Sequence, residues 1–210
     1  MAIGDAYATA AEYRAAVDRT DAADDAIIGR DLTALSRYLD WKLNQRAGFQ
    51  KDAAVTVRVY EGDGTRRLLL RFSIASATGL IVTRDTDADG DFADETALTS
   101  NTDFELRPLD ADKYPEARPW TELYIPSWAP TYGTWYEGER VQVTAIHGWP
   151  AVPAAIKSGT IWLTSIVRIE SPYATQQIQE LDQLVQASPQ ARSILNGLMQ
   201  SYNHYPVVVA

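Results

Sequence analysis

The apolar positions of this chain change their spacing twice. Ile28, Leu32, Leu35, Leu39 and Leu43 recur at steps of three and four, the mark of a helix with one apolar face. Ahead of them, Thr9-Ala10-Ala11-Glu12 has the spacing of a capping box and predicts a short helix through about Val17. The acids from Asp21 to Asp25 suit the start of the second helix, and Gly48 suits its stop. From about residue 54 to 147 the period becomes two. Val55, Val57 and Val59 alternate with Thr56, Arg58 and Tyr60. Leu68, Leu70 and Phe72, then Leu80 and Val82, Phe104 and Leu106, Leu123 and Ile125, and Val141 and Val143 continue the alternation. Turn-forming stretches separate them, so about six short strands in one block are predicted.

Helical spacing returns after Gly148. Pro153 suits a first helical turn. Ile156, Thr160, Leu163 and Val167 make one stripe, and Trp162, Ile166 and Ile169 make a second. A helix apolar nearly all round is buried on most sides, at a core centre or a subunit interface. Trp162, Leu163, Ile166, Val167 and Ile169 are therefore candidate subunit-contact residues. Ser171-Pro172 and Ser188-Pro189 each read as an N-cap followed by proline at the first helical position, opening two more helices. The chain then ends in the extended apolar run "HYPVVVA". The expected fold class is α+β: a helical bundle from the N- and C-terminal helices, with an inserted antiparallel β-sheet or small barrel. The expected divisions are 1–50 for the first helices, 51–147 for the β insertion, 148–203 for the last helices and 204–210 for an extended tail.

Composition narrows the function. The 210 residues suffice for a sizeable core, and the net charge of −9 argues against a clamp for nucleic acid, which needs Lys and Arg on phosphates. There is no Cys, hence no disulfide framework and no thiolate chemistry. No apolar run approaches the roughly 18 residues of a membrane span, and the first residues lack the basic-then-apolar order of a secretory signal. His147 and His204 are the two histidines, far apart and without metal-ligand spacing. No nucleophile elbow or phosphate-binding glycine loop appears, so the expectation is a protein that is not an enzyme.

The strongest local signal is "DTDADGDFADE", residues 85–95, with five Asp and one Glu. Asp85, Asp87 and Asp89 occupy the first, third and fifth places of a calcium loop, and Gly90 its sharp turn. Asp91 completes the candidate metal set. The closing bidentate Glu is missing: its place is Thr96, and Glu95 comes one residue early. The alternative is a polar hairpin turn, since Asp and Gly favour turns for local backbone reasons. Trp120, Tyr124, Trp128, Tyr132, Trp135 and Tyr136 fit either a stacking platform for sugar or packing at an interface. A calcium-dependent binding module, possible carbohydrate binding included, would use the loop 85–96 and the aromatic segment 120–136. No cofactor is required by any motif, with Ca2+ the candidate ion.

The order of the segments says more than any one of them. "YATAAEYRAAV" leads into "DDAIIGRDLTALSRYLDWKLNQRAGF", then the acidic turn within "DTDADGDFADETALTSNTDFELRPLDA", then "VQVTAIHGWPAVPAAIKSGTIWLTSIVRIESPYA", and last "SPQARSILNGLM". This order resembles the head-to-tail adaptor, or connector, proteins of long-tailed bacteriophages, particularly those of actinobacterial phages. Gly148-Trp149-Pro150-Ala151-Val152-Pro153 with the apolar helix after it is the most specific element, and the likeness runs from about residue 7 to 202. The resemblance implies a structural virion protein of the neck, assembled in the host cytoplasm. It implies a homo-oligomeric ring, commonly of twelve copies, between the portal protein and the tail completion, or stopper, protein. DNA would pass through the ring without specific binding, and no membrane is involved. The C-terminal segment, here Tyr205, Pro206, Val207, Val208 and Val209, is expected to dock on the portal.

Overall fold

Thr9 opens the first helix, α1 (Ala10–Ala16), through a complete capping box. Its hydroxyl accepts from the Glu12 N–H at 3.2 Å, and the Glu12 carboxylate accepts from the Thr9 N–H at 2.8 Å. The second helix, α2 (Asp25–Lys42), buries Ile28, Leu32, Leu35 and Leu39 as the spacing required. Its stop differs from the expected Gly48. Asn44 takes a left-handed φ of 54° just past the C-cap Leu43, and the Gln45 N–H bonds back to the Asp40 carbonyl at 2.8 Å. Asparagine tolerates that conformation because its short side chain bonds locally, so the helix ends there and Gly48 lies beyond it.

The structure, a computed structural model, describes residues 5–45, 48–113, 116–129, 133–170 and 178–202. Three further helices follow the strands: α3 (Ala154–Glu170), α4 (Ile178–Ala187) and α5 (Pro189–Tyr202). Pro153 sits one place before α3, where its carbonyl takes the Lys157 N–H at 3.0 Å. Ser188 caps α5, its hydroxyl accepting from Ala191 N–H at 3.4 Å, with Pro189 first in the helix. The Ser171-Pro172 cap lies outside the described residues. α2 lies against α1, α3 and α4, and α5 lies against α3 and α4. Ala8, Tyr13, Ile28, Leu32 and Ile161 share one apolar cluster. Arg168 of α3 reaches Asp31 of α2 at 2.7 Å, and Lys42 of α2 reaches Asp182 of α4 at 2.8 Å. Among the described residues no helix is long and apolar enough to cross a membrane.

The strands are β1 (Thr56–Glu61), β2 (Arg67–Arg84), β3 (Ala97–Leu98), β4 (Glu105–Arg107), β5 (Trp120–Tyr124) and β6 (Arg140–His147). All pair antiparallel in one sheet of order β1-β6-β2-β5-β4, with β3 added beside the end of β2. The sheet is open, with β1 and β4 at its two ends, so of the two expected β architectures it is the sheet that forms. The alternating runs at 68–72 and 80–82 belong to one long strand, β2. That strand absorbs its length by shifting register against β6 between Ile74 and Ser76 and again between Ser76 and Ile81.

Residues facing each other across a ladder share a sheet face, so the register assigns sides. Tyr60–Val141–Arg84 and Arg58–Val143–Val82 lie on the face that carries the core. Leu68, Leu70, Ile74, Phe104, Leu123, Ile125 and Trp135 complete that core with Ala145. The opposite face holds Val57–Thr144–Ile81 and Val59–Gln142. There Val55, Val57, Val59 and Ile81 are roughly half exposed, at 49%, 58%, 50% and 48%. Within the described residues the chain forms two compact units. One runs up to Phe49 and resumes at Val152; the other is Gln50–Ala151.

Candidate functional site

The acidic stretch is a loop between β2 and β3, and its first residue is not on the surface. Asp85 continues directly from the buried end of β2, with its N–H bonded to the Arg140 carbonyl at 2.9 Å, and is only 4% exposed. Asp87 and Asp89 are exposed. The chain turns back through left-handed residues at Ala88 (φ 62°) and Gly90 (φ 83°). The turn carries one backbone amide to each carboxylate: Gly90 N–H to Asp85 Oδ2 at 3.1 Å, Asp89 N–H to Asp87 Oδ1 at 3.2 Å, and Asp91 N–H to Asp89 Oδ1 at 2.7 Å. One oxygen from each of Asp85, Asp87 and Asp89 lies within 4.8 Å of the others. Asp91 stands outside that set and accepts from Ala93 N–H at 3.0 Å. Glu95 closes the loop on itself, its Oε1 taking Thr86 N–H at 2.5 Å and Thr86 Oγ1–H at 2.7 Å. Those bonds hold its carboxylate below the usual range.

Beside this loop lies an ion pair that no local pattern announces. Arg84 and Glu139 are 55 positions apart in sequence, at the end of β2 and in the turn before β6. Their side chains are 1% and 5% exposed. The guanidinium forks onto the carboxylate at 2.5 and 2.6 Å, and its centre sits 5.0 Å from the Tyr136 ring and 5.5 Å from the Trp135 ring. Trp135 is fully buried, with Nε1–H donating to the Leu123 carbonyl at 3.3 Å. It is therefore core and not part of a stacking platform. Trp120 and Tyr124 are half-buried, Trp128 and Tyr136 are exposed, and Tyr132 lies outside the described residues.

α3 separates its two stripes. Leu163 and Val167 are buried at 0% and 2%, packed within this chain. Trp162 and Ile169 are 50% and 80% exposed, with Ile166 intermediate. Of the five candidate contact residues, the stripe Trp162, Ile166 and Ile169 faces outward. The expected docking residues Tyr205, Pro206, Val207, Val208 and Val209 lie outside the described residues, as does His204.

Loss of water also shifts His147, which is buried, and Asp40, which is half-buried. Burial holds His147 below the usual histidine range, and its Nδ1 lies 3.3 Å from the Phe72 carbonyl oxygen. A carbonyl is an acceptor, so Nδ1 carries the proton, and the other ring nitrogen, Nε2, is buried without a hydrogen-bond partner. Asp40 on α2 accepts from the Tyr7 hydroxyl and pairs with Arg37 at 3.1 Å. Burial pushes Asp40 from 3.8 up to about 6, against the pull of Tyr7 and Arg37. A carboxyl with a raised folded value binds its proton more tightly folded than unfolded. Its stabilising contribution is complete below about pH 4 and is lost as pH rises through about 6. Asp40→Asn mimics the protonated form, so it is expected to gain about 2 kcal/mol on wild type between pH 4 and 7. Urea unfolding of both proteins across that range measures the difference, and parallel curves would refute it.

No protein-family model matches the chain, and no curated protein matches it.

Proposed function

We propose that this chain is a structural assembly protein, an adaptor that closes into a ring at the head-to-tail junction of a phage particle. The observation that carries the reading is the outward stripe of α3, where Trp162 at 50% and Ile169 at 80% exposure stand seven positions apart on one helix face. Exposed large apolar side chains in a row mark a contact surface. A head-to-tail contact repeated by rotation closes into a ring, with the stripe of one copy against a different surface of the next. In this reading the helices from both ends of the chain form a bundle that builds the ring body, and the sheet is an insertion in the sequence between them. The net charge of −9 suits a channel that DNA must pass without being held. The portal protein, bound through Tyr205–Val209, and the tail completion protein are its neighbours, and no catalytic step is assigned to it.

The test is assembly. Mass photometry and negative-stain microscopy of the purified chain, alone and with portal protein, are expected to show closed rings. Trp162→Glu combined with Ile169→Glu is expected to abolish them while the chain still unfolds in one cooperative transition, because Ile169 is mostly and Trp162 half in water. A strict monomer that ignores portal, or rings unaffected by the double substitution, would sink the proposal.

A further inference from the structure

We infer that Asp85, Asp87 and Asp89 bind one divalent cation of the calcium class, which locks the end of β2 to the loop that follows it. The acidic cluster alone would not carry this, since acidic turns are common. The buried residue does. Asp85 is 4% exposed, and its Oδ1 is buried without any hydrogen-bond partner. An unpartnered carboxylate oxygen inside a protein is costly, and folded chains rarely leave one. Its own residue belongs to the set of three carboxylates whose oxygens fall within 4.8 Å of one another. Oxygens bound to one calcium at about 2.3–2.6 Å sit no farther apart than about twice that distance.

Each carboxylate in the set accepts one backbone amide of the turn, and for Asp85 the second oxygen is left without a partner. The amides orient the groups; they do not neutralise them. The neighbouring arginines are placed otherwise. Arg84 is forked onto Glu139. The Arg140 guanidinium packs over Gly90, where a Cβ would overlap it, and leaves Asp85 Oδ1 unpartnered. Three like charges held this close are relieved by a cation between them.

The donors are all hard oxygens, which selects calcium or magnesium over softer-ligand metals. The site is open on the side of the exposed Asp87 and Asp89, and Glu95 is committed to Thr86, so water completes the shell. An open, irregular shell of carboxylate and water suits calcium, which accepts six to eight ligands, better than magnesium, which demands an octahedron. Without a closing bidentate ligand the affinity belongs to the weak class, a Kd on the order of 10⁻⁴–10⁻³ M.

The experiment uses the full chain, stripped of metal and titrated with CaCl2 in a calorimeter, with thermal unfolding in parallel and NaCl at matched ionic strength as control. One saturable site is expected, with a rise in Tm of about 3–5 °C at 10 mM calcium. Asp87→Ala with Asp89→Ala, both exposed and so harmless to folding, is expected to weaken binding at least tenfold and abolish the Tm rise. Asp85→Asn is expected to do the same if it folds. Absence of saturable heat, or an equal Tm rise in NaCl or in the double variant, overturns the site. Magnesium binding as tight as calcium overturns the calcium assignment. None of these readouts depends on ring assembly.

Discussion

Glu139→Ala is expected to destabilise the Gln50–Ala151 unit by about 3–5 kcal/mol, read from urea or thermal unfolding. The cost comes from what the substitution leaves behind. Arg84 is 1% exposed, and without Glu139 its charge stays in a site closed to water beneath Trp135 and Tyr136. Glu139 also accepts the Tyr136 N–H at 2.9 Å, so the turn before β6 loses a bond as well. The control is Arg84→Met together with Glu139→Leu. Removing both leaves no buried unpaired charge, so the double variant is expected to recover most of the loss. If Glu139→Ala cost less than about 1 kcal/mol, or the double variant were no better, the pair would not be closed from water as described.

Gly148→Ala is expected to cost about 3–4 kcal/mol, and to do so without touching any exposed surface. Gly148 has a φ of 108°, outside the region an L side chain occupies without strain. A Cβ there would overlap the Gln50 carbonyl oxygen and lie 2.8 Å from the Lys51 Cα. The close approach is required by bonds on both sides: Gly148 N–H to the Ser73 carbonyl at 2.7 Å, and Trp149 N–H to the Gln50 carbonyl at 3.2 Å. Trp149 beside it is 3% exposed. "GWP", the most specific part of the resemblance, therefore has a structural reason in this chain, independent of what the protein binds. Thermal unfolding against a neutral surface substitution such as Ala151→Ser measures the effect; a change within about 1 kcal/mol would show that the backbone yields at this point.

Some of this molecule follows from sequence alone because the cause is local. The Thr9–Glu12 box involves groups three residues apart. The buried stripe of α2 needs only the 3.6-residue turn, and the Ser188-Pro189 start of α5 needs only its own amides. The acidic turn falls between two strands because Asp and Gly bend the chain there whatever surrounds them. The strand block itself was legible as period two, but the join of two alternating runs into the single strand β2 was not, because register shifts depend on the partner strand β6.

What only the tertiary structure decided are the choices between equivalent faces and between distant partners. Alternation along β1 says that Val57 and Tyr60 point opposite ways. It cannot say that Tyr60 meets the core while Val57 meets solvent, since that depends on which side of the sheet receives Trp135 and Leu123. The two stripes of α3 are equally apolar, and neighbouring helices bury Leu163 while leaving Trp162 outside. Arg84 and Glu139 find each other across 55 positions because β6 lies beside β2 in the sheet. The same pairing draws Asp85 inward on the end of β2. That burial gives an ordinary-looking acidic turn an oxygen with no hydrogen-bond partner: the sequence supplied the three carboxylates, and the fold buried one of them.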